Sequence, residues 1–156
     1  MTLHVFEVNR QGFNSKIVVG ELLNYENEVY IITYIGNVDI MRGLNGGIKA
    51  DIVAQKINSL NSSNFYYRKV PLVMRYDIRK LTDFIPDVKI KRAGNLIGYD
   101  NGMVEVITGI ENSNYDGTDL VIEYESEILQ ELPKREIDRA IKENRNSKFK
   151  VISGGK

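Results

Sequence analysis

The chain has no cysteine, no tryptophan, a single histidine and only three prolines among 156 residues. Without cysteine there are no disulfides, thiolate zinc sites, iron–sulfur clusters or thiol nucleophiles. Any Ser-His-Asp chemistry would depend wholly on His4, and no G-x-S-x-G elbow accompanies it. His4 therefore reads as a structural residue of a strand. Long apolar runs are missing too. Ile17–Val19 and Ile31–Ile32 fall far short of the roughly 20 residues that cross a bilayer. The opening MTLHVFEVNR has neither a basic cluster nor a long apolar stretch, which argues against a secretory signal, and the expected location is the cytoplasm.

What is present is enough for a folded core: 42% of residues are hydrophobic, and the length suits one ordinary domain or two very small ones. The 21 basic and 21 acidic residues cancel, but they are not mixed. From Tyr66 to Arg92 eight bases meet three acids, and from Pro133 to Lys156 the count is again eight against three. Between them, from Ala93 to Leu132, stand nine acids and no Lys or Arg. Such segregation either lets one half of the molecule dock on the other or steers a charged partner. Isoleucine and asparagine are abundant and alanine scarce, the signature of an AT-rich genome, which suits a phage or mobile element.

The strongest pattern is internal similarity. Gly20–Ile35 (GELLNYENEVYIITYI) aligns with Gly94–Ile110 (GNLIGYDNGMVEVITGI) when Met103 is treated as an insertion, and eight of sixteen pairs are identical. Each copy reads as a β-hairpin: Phe13–Asn24 and Val29–Ile35 around Tyr25–Glu28 in the first, and a turn at Asp100-Asn101-Gly102 in the second. Tyr25 and Tyr99 are expected to pack equivalently. Pro71–Asp77 resembles Asp119–Glu125 in the same way, with Leu, Val and Tyr shared, and predicts a duplicated third strand. Leu3–Val8 reads as a leading strand. In the first copy, Gly46-Gly47 followed by Ile48, Ile52, Val53, Ile57 and Leu60 predicts an inserted helix over about 44–61. Pro133, Ile137 and Ile141 predict a C-terminal surface helix, and Lys148–Ile152 a final short strand.

The expected fold is thus mainly β, a β-rich α+β chain of two diverged copies of a small antiparallel SH3-like barrel unit, with one inserted helix and a C-terminal helix. Residues 1–88 would form the first unit, 89–132 the second, acidic unit, and 133–156 the helix and tail.

Three groups of residues are candidates for function. Glu123, Glu125 and Glu127 alternate, which places them on one face of a strand as an acidic stripe, and Glu105 lies in the same acidic unit. This stripe is the expected contact for a protein partner with a basic surface. Tyr66, Tyr67, Arg68 and Lys69, with Lys89, Lys91 and Arg92, combine aromatic and cationic groups as single-strand nucleic-acid binding requires. Asn112, Asn114, Asp116, Gly117 and Glu123 nearly spell the calcium loop D-x-[DN]-x-[DN]-G-x₅-E, although Asn stands at its first position and a hairpin around Asp116-Gly117 explains the same letters. Gly43–Lys49 departs from a phosphate-binding loop, since its lysine comes one place late and Ala50 replaces the hydroxyl. No cofactor is expected. The chain reads as a non-enzymatic protein-binding or assembly module, either a structural subunit of a particle or an inhibitor of a host protein, with homo-oligomerisation open. A nucleic-acid-binding small barrel is the alternative.

Overall fold

The computed structural model describes residues 3–43, 45–58, 72–77 and 90–152, with side chains as far as 145. Its elements are β1 (Leu3–Gln11), β2 (Leu22–Tyr25), β3 (Glu28–Ile40), β4 (Gly47–Lys56), β5 (Leu72–Asp77), β6 (Leu96–Gly98), β7 (Val104–Asp116), β8 (Asp119–Ile128) and α1 (Lys134–Ile152). They form two four-stranded antiparallel sheets of orders β1-β4-β3-β2 and β5-β8-β7-β6. The protein is mainly β, as its β-branched, turn-punctuated sequence predicts.

The two hairpins are built alike. Gly20 N donates to Ile32 O and Ile32 N to Glu21 O, while Gly94 N donates to Ile107 O and Ile107 N to Asn95 O, all between 2.7 and 3.0 Å. The turn before each has the same closing bond, Glu21 N to Val18 O and Asn95 N to Arg92 O. Gly20 and Gly94 occupy its third position at φ 91° and 89°, the left-handed geometry a type II turn demands there. In β3 the register slips after Ile32 and again after Ile35. In β7 it slips after Ile107 and Ile110, their partners in the alignment. Such bulges bend a strand and increase its twist, which curls each sheet over its own core.

The hairpin turns differ by one residue. Glu26 and Asn27, at φ 49° and 64°, make a two-residue turn with both central residues left-handed. In the second hairpin Tyr99 N bonds Met103 O and Gly102 N bonds Tyr99 O, with Gly102 at φ 81°. The additional residue is therefore Gly102, in the left-handed place of a three-residue loop, and Met103 takes the position of Glu28.

Four expectations are corrected. Residues 47–56 of the expected inserted helix are strand β4, which pairs with both β1 and β3. Its Ala50, Ile52 and Ala54 point alternately into the first core beside Tyr30 and Ile32. The Leu72–Asp77 strand, assigned by sequence to the first unit, is an edge strand of the second sheet and runs antiparallel to Asp119–Glu125. The two stretches resemble each other because they line one core as neighbours: Tyr76 and Tyr124 meet hydroxyl to hydroxyl at 2.8 Å. The final strand at Lys148–Ile152 is instead the end of α1. Of the expected strand Phe13–Asn24, only Leu22, Leu23 and Asn24 are strand, as part of β2.

Each sheet encloses a cluster of its own. Tyr30, Ile32, Ala50, Ile52 and Ala54 fill the first, and Tyr76, Ile107, Ile122 and Tyr124 the second. A third cluster, Leu3, Val53 and Val104 with Tyr34, Leu96 and Leu129 packed on it, joins the sheets. There the backbones approach closely: a Cβ on Gly36 would stand 2.8 Å from the Gly94 carbonyl oxygen. Helix α1 is fastened to the first sheet at two points. The buried Gln55 side chain donates to Leu132 O at 3.2 Å and accepts from Leu132 N at 2.7 Å, just before the helix, and Asn144 Nδ2 donates to Gly20 O at 2.5 Å. No helix among the described residues is long and apolar enough to cross a membrane.

Candidate functional site

The acidic face of the second sheet follows from the pleat. On β8, Ile122 and Tyr124 are buried, so Glu123, Glu125 and Glu127 must project from the opposite face. Glu125 and Glu127 are exposed and Glu123 half-buried. Glu123 lies in a row with Asn112 of β7 and Val73 of β5, Glu125 opposite Gly109, and Glu127 opposite Val106. Val106 is buried, so the stripe ends beside a covered part of this face. The side chain of Glu125 leans over Gly109, since a Cβ there would meet its Oε2 at 3.3 Å.

These three carboxylates have no counter-ion among the described residues, unlike five others. Glu7, Glu21, Glu28, Asp116 and Asp119 are held by Lys49, Arg10, Lys56 and, for both aspartates, Arg75. Their ion pairs are mostly exposed and individually worth little, and of these only the two to Arg75 lie on the second sheet.

Glu105 does not belong to this face. It is only 8% exposed, lies on the inner side of β7, and accepts hydrogen bonds from Tyr99 Oη at 2.6 Å and from Ser126 Oγ. A buried carboxylate with two hydroxyl donors is satisfied where it stands. Burial and this bond push the Tyr99 hydroxyl up to about 12. Tyr25, its counterpart in the alignment, packs its ring edge-on to Phe6 instead, so the two tyrosines are not equivalent.

The calcium candidate is drawn out along a hairpin. Asn112, Asn114 and Asp116 lie on β7 opposite Glu123, Val121 and Asp119 of β8, joined by the two-residue turn Gly117-Thr118. Residues of an EF-hand loop surround one point. These are spread along two strands, and Asp116 Oδ2 is engaged by Arg75 at 2.7 Å. No group of three metal-ligating side chains occurs among the described residues. In the Gly43–Lys49 segment Lys49 pairs with Glu7 at 2.8 Å, and the glycines open a strand rather than a helix. His4 stacks on Phe6 at a centroid distance of 6.0 Å and meets Tyr30 edge-on at 5.3 Å, at the first core's rim.

Of the nucleic-acid candidates, Tyr66, Tyr67, Arg68, Lys69 and Lys89 lie outside the described residues. Lys91 and Arg92 have exposed side chains at the approach to β6. Their backbone is pinned, with Lys91 N donating to Tyr76 Oη and Arg92 N to Asn95 Oδ1.

One charged surface has no counterpart among the sequence candidates. Helix α1 turns Ile137 inward, and Arg135, Arg139 and Lys142 fall together on its outward side, with Arg145 beyond them, all exposed. Their i, i+4, i+7 spacing was the available signal. With Glu136 and Asp138, the first three line a surface groove of about 560 Å³. No protein-family model matches the chain, and no curated protein and no solved structure matches it either.

Proposed function

We propose that this chain is a non-enzymatic protein-binding module that uses the outer face of its second sheet, with Glu123, Glu125 and Glu127 as the contact, for a partner presenting a basic surface. One observation carries this reading: the three carboxylates share a strand face without an ion-pair partner among the described residues, while the neighbouring Asp116 and Asp119 are both held by Arg75. Complementary charge favours encounter and fixes orientation more than it adds affinity, so the contact is fast, specific and salt-sensitive. In this reading the two sheets are diverged copies of one SH3-like unit, supported by their matching strand order, turns and bulges. The first copy would serve as scaffold and the second would carry the contact. A particle subunit and an inhibitor covering another protein's basic surface are the roles that fit.

The test is affinity capture from the source cell with the wild-type chain and with the Glu123→Lys, Glu125→Lys, Glu127→Lys triple variant, the fold of each checked by circular dichroism. Loss of the captured partner in the folded triple variant supports the proposal; unchanged capture sinks it. The exposed Lys91 and Arg92 keep nucleic-acid binding as the second reading. It requires an electrophoretic shift that weakens steeply with salt and with Lys91→Ala.

A further inference from the structure

We propose that the outward stripe of helix α1 docks on the acidic face of β8 in a second copy of the chain, so that the protein assembles head to tail. This rests on the reading of Glu123, Glu125 and Glu127 as a contact surface and names the partner.

The sequence separates basic and acidic segments, and the fold does not bring these two surfaces together within one chain. Among the described residues, no ion pair links the α1 stripe to the β8 stripe; Arg139 has only a 3.9 Å contact with Glu143, both more than 70% exposed. Arg135, Lys142 and Arg145 form no ion pair among these residues. Asp138 lies within the helical stripe and Glu136 and Glu143 flank it, so four cations are set against three anions, with the cations clustered outward.

The two surfaces match in length as well as sign. From Glu123 to Glu127 a strand advances about 13 Å, and from Arg135 to Arg145 a helix advances about 15 Å. The outward cations of α1 are exposed, and neither point that fastens the helix to the first sheet, Asn144 and the Gln55–Leu132 pair, uses them. With a net charge of zero, copies do not repel one another as whole molecules. Because the surfaces are different patches, the contact is heterologous: it closes into a ring if the rotation permits and otherwise continues as a filament.

Sedimentation velocity over a concentration series tests this directly. The wild-type chain at low ionic strength should shift to larger species with concentration, and return to monomer at high salt. Glu125→Lys with Glu127→Lys, and separately Arg139→Glu with Lys142→Glu, should each leave a folded monomer. The quadruple variant carrying all four reversals should associate with itself but not with the wild-type chain, an outcome that general stickiness does not produce. A monomer at every concentration and low salt overturns self-assembly, as do oligomers indifferent to either pair of reversals. If self-assembly fails while the triple β8 reversal still abolishes capture of another protein, the binding face stands and only the identity of its partner falls. If β8 reversal changes neither, both readings fall.

Discussion

At the scale of single residues, Gly20 and Gly94 show how one conformational demand can be met in two surroundings. Both sit near φ +90°, where a side chain is strained whatever space it has. Nothing lies within 4 Å of a Cβ placed on Gly20, whereas at Gly94 it would meet Asn37 Oδ1 at 2.7 Å. Gly20→Ala should therefore cost roughly 1–2 kcal/mol from the backbone alone. Gly94→Ala should cost more, since Asn37 must also move, and denaturant midpoints of the two variants provide the comparison. Glu131 offers a different residue-level test. Its Oε1 is buried without a hydrogen-bond partner, and burial raises its pKa above the ordinary carboxylate value. A group whose folded pKa is raised contributes stability that is complete below the unfolded pKa and lost as pH rises through the folded one. Glu131→Gln should consequently raise the thermal midpoint at neutral pH, and the gain should vanish in acid, where the wild-type carboxyl is also uncharged. An equal gain at both pH values contradicts the assignment.

Elements were legible in the sequence where the signal was local. Both hairpins, the leading strand and the start of the C-terminal helix could be read from turn residues and alternation. Strand β4 could not. Ile48 and Ile52 are four apart, a spacing shared by a helix face and a strand face, and Val53 broke the alternation in favour of a helix. Val53 is buried because the second sheet covers the other face of β4 at that point, so a contact between sheets imitated a helical stripe. The acidic stripe was legible for the opposite reason, since β8 alternates cleanly with one solvated face. Glu105 was misassigned because its hydroxyl partners Tyr99 and Ser126 are brought to it by β-pairing and the hairpin turn. The attachment of α1 was also hidden, because Gln55 reaches a backbone 77 residues away. Gln55→Ala should leave both polar groups of the Leu132 backbone without this partner, at about 1–3 kcal/mol. Amide exchange should then speed up in the linker and first turns of α1 before the sheets respond; uniform loss of protection would instead mean that Gln55 supports the whole first sheet.

For the whole molecule, the question is whether two sheets with separate cores unfold as one unit. The third cluster couples them through Leu3, Val53 and Val104, each no more than 2% exposed, and through the approach of Gly36 to the Gly94 backbone. A contact this close has no room for adjustment, because one side is a carbonyl oxygen rather than the end of a side chain. Gly36 is not held at a left-handed φ, so a side chain there introduces steric conflict without turn strain. Gly36→Val should accordingly separate the sheets while leaving each core filled. Wild-type unfolding in urea should be a single transition whose slope reflects the surface of both sheets. In Gly36→Val the slope should fall or the curve should split, with tyrosine fluorescence and far-ultraviolet circular dichroism no longer superimposing. If the variant loses stability with an unchanged slope and coincident probes, the cores are coupled by more than this interface.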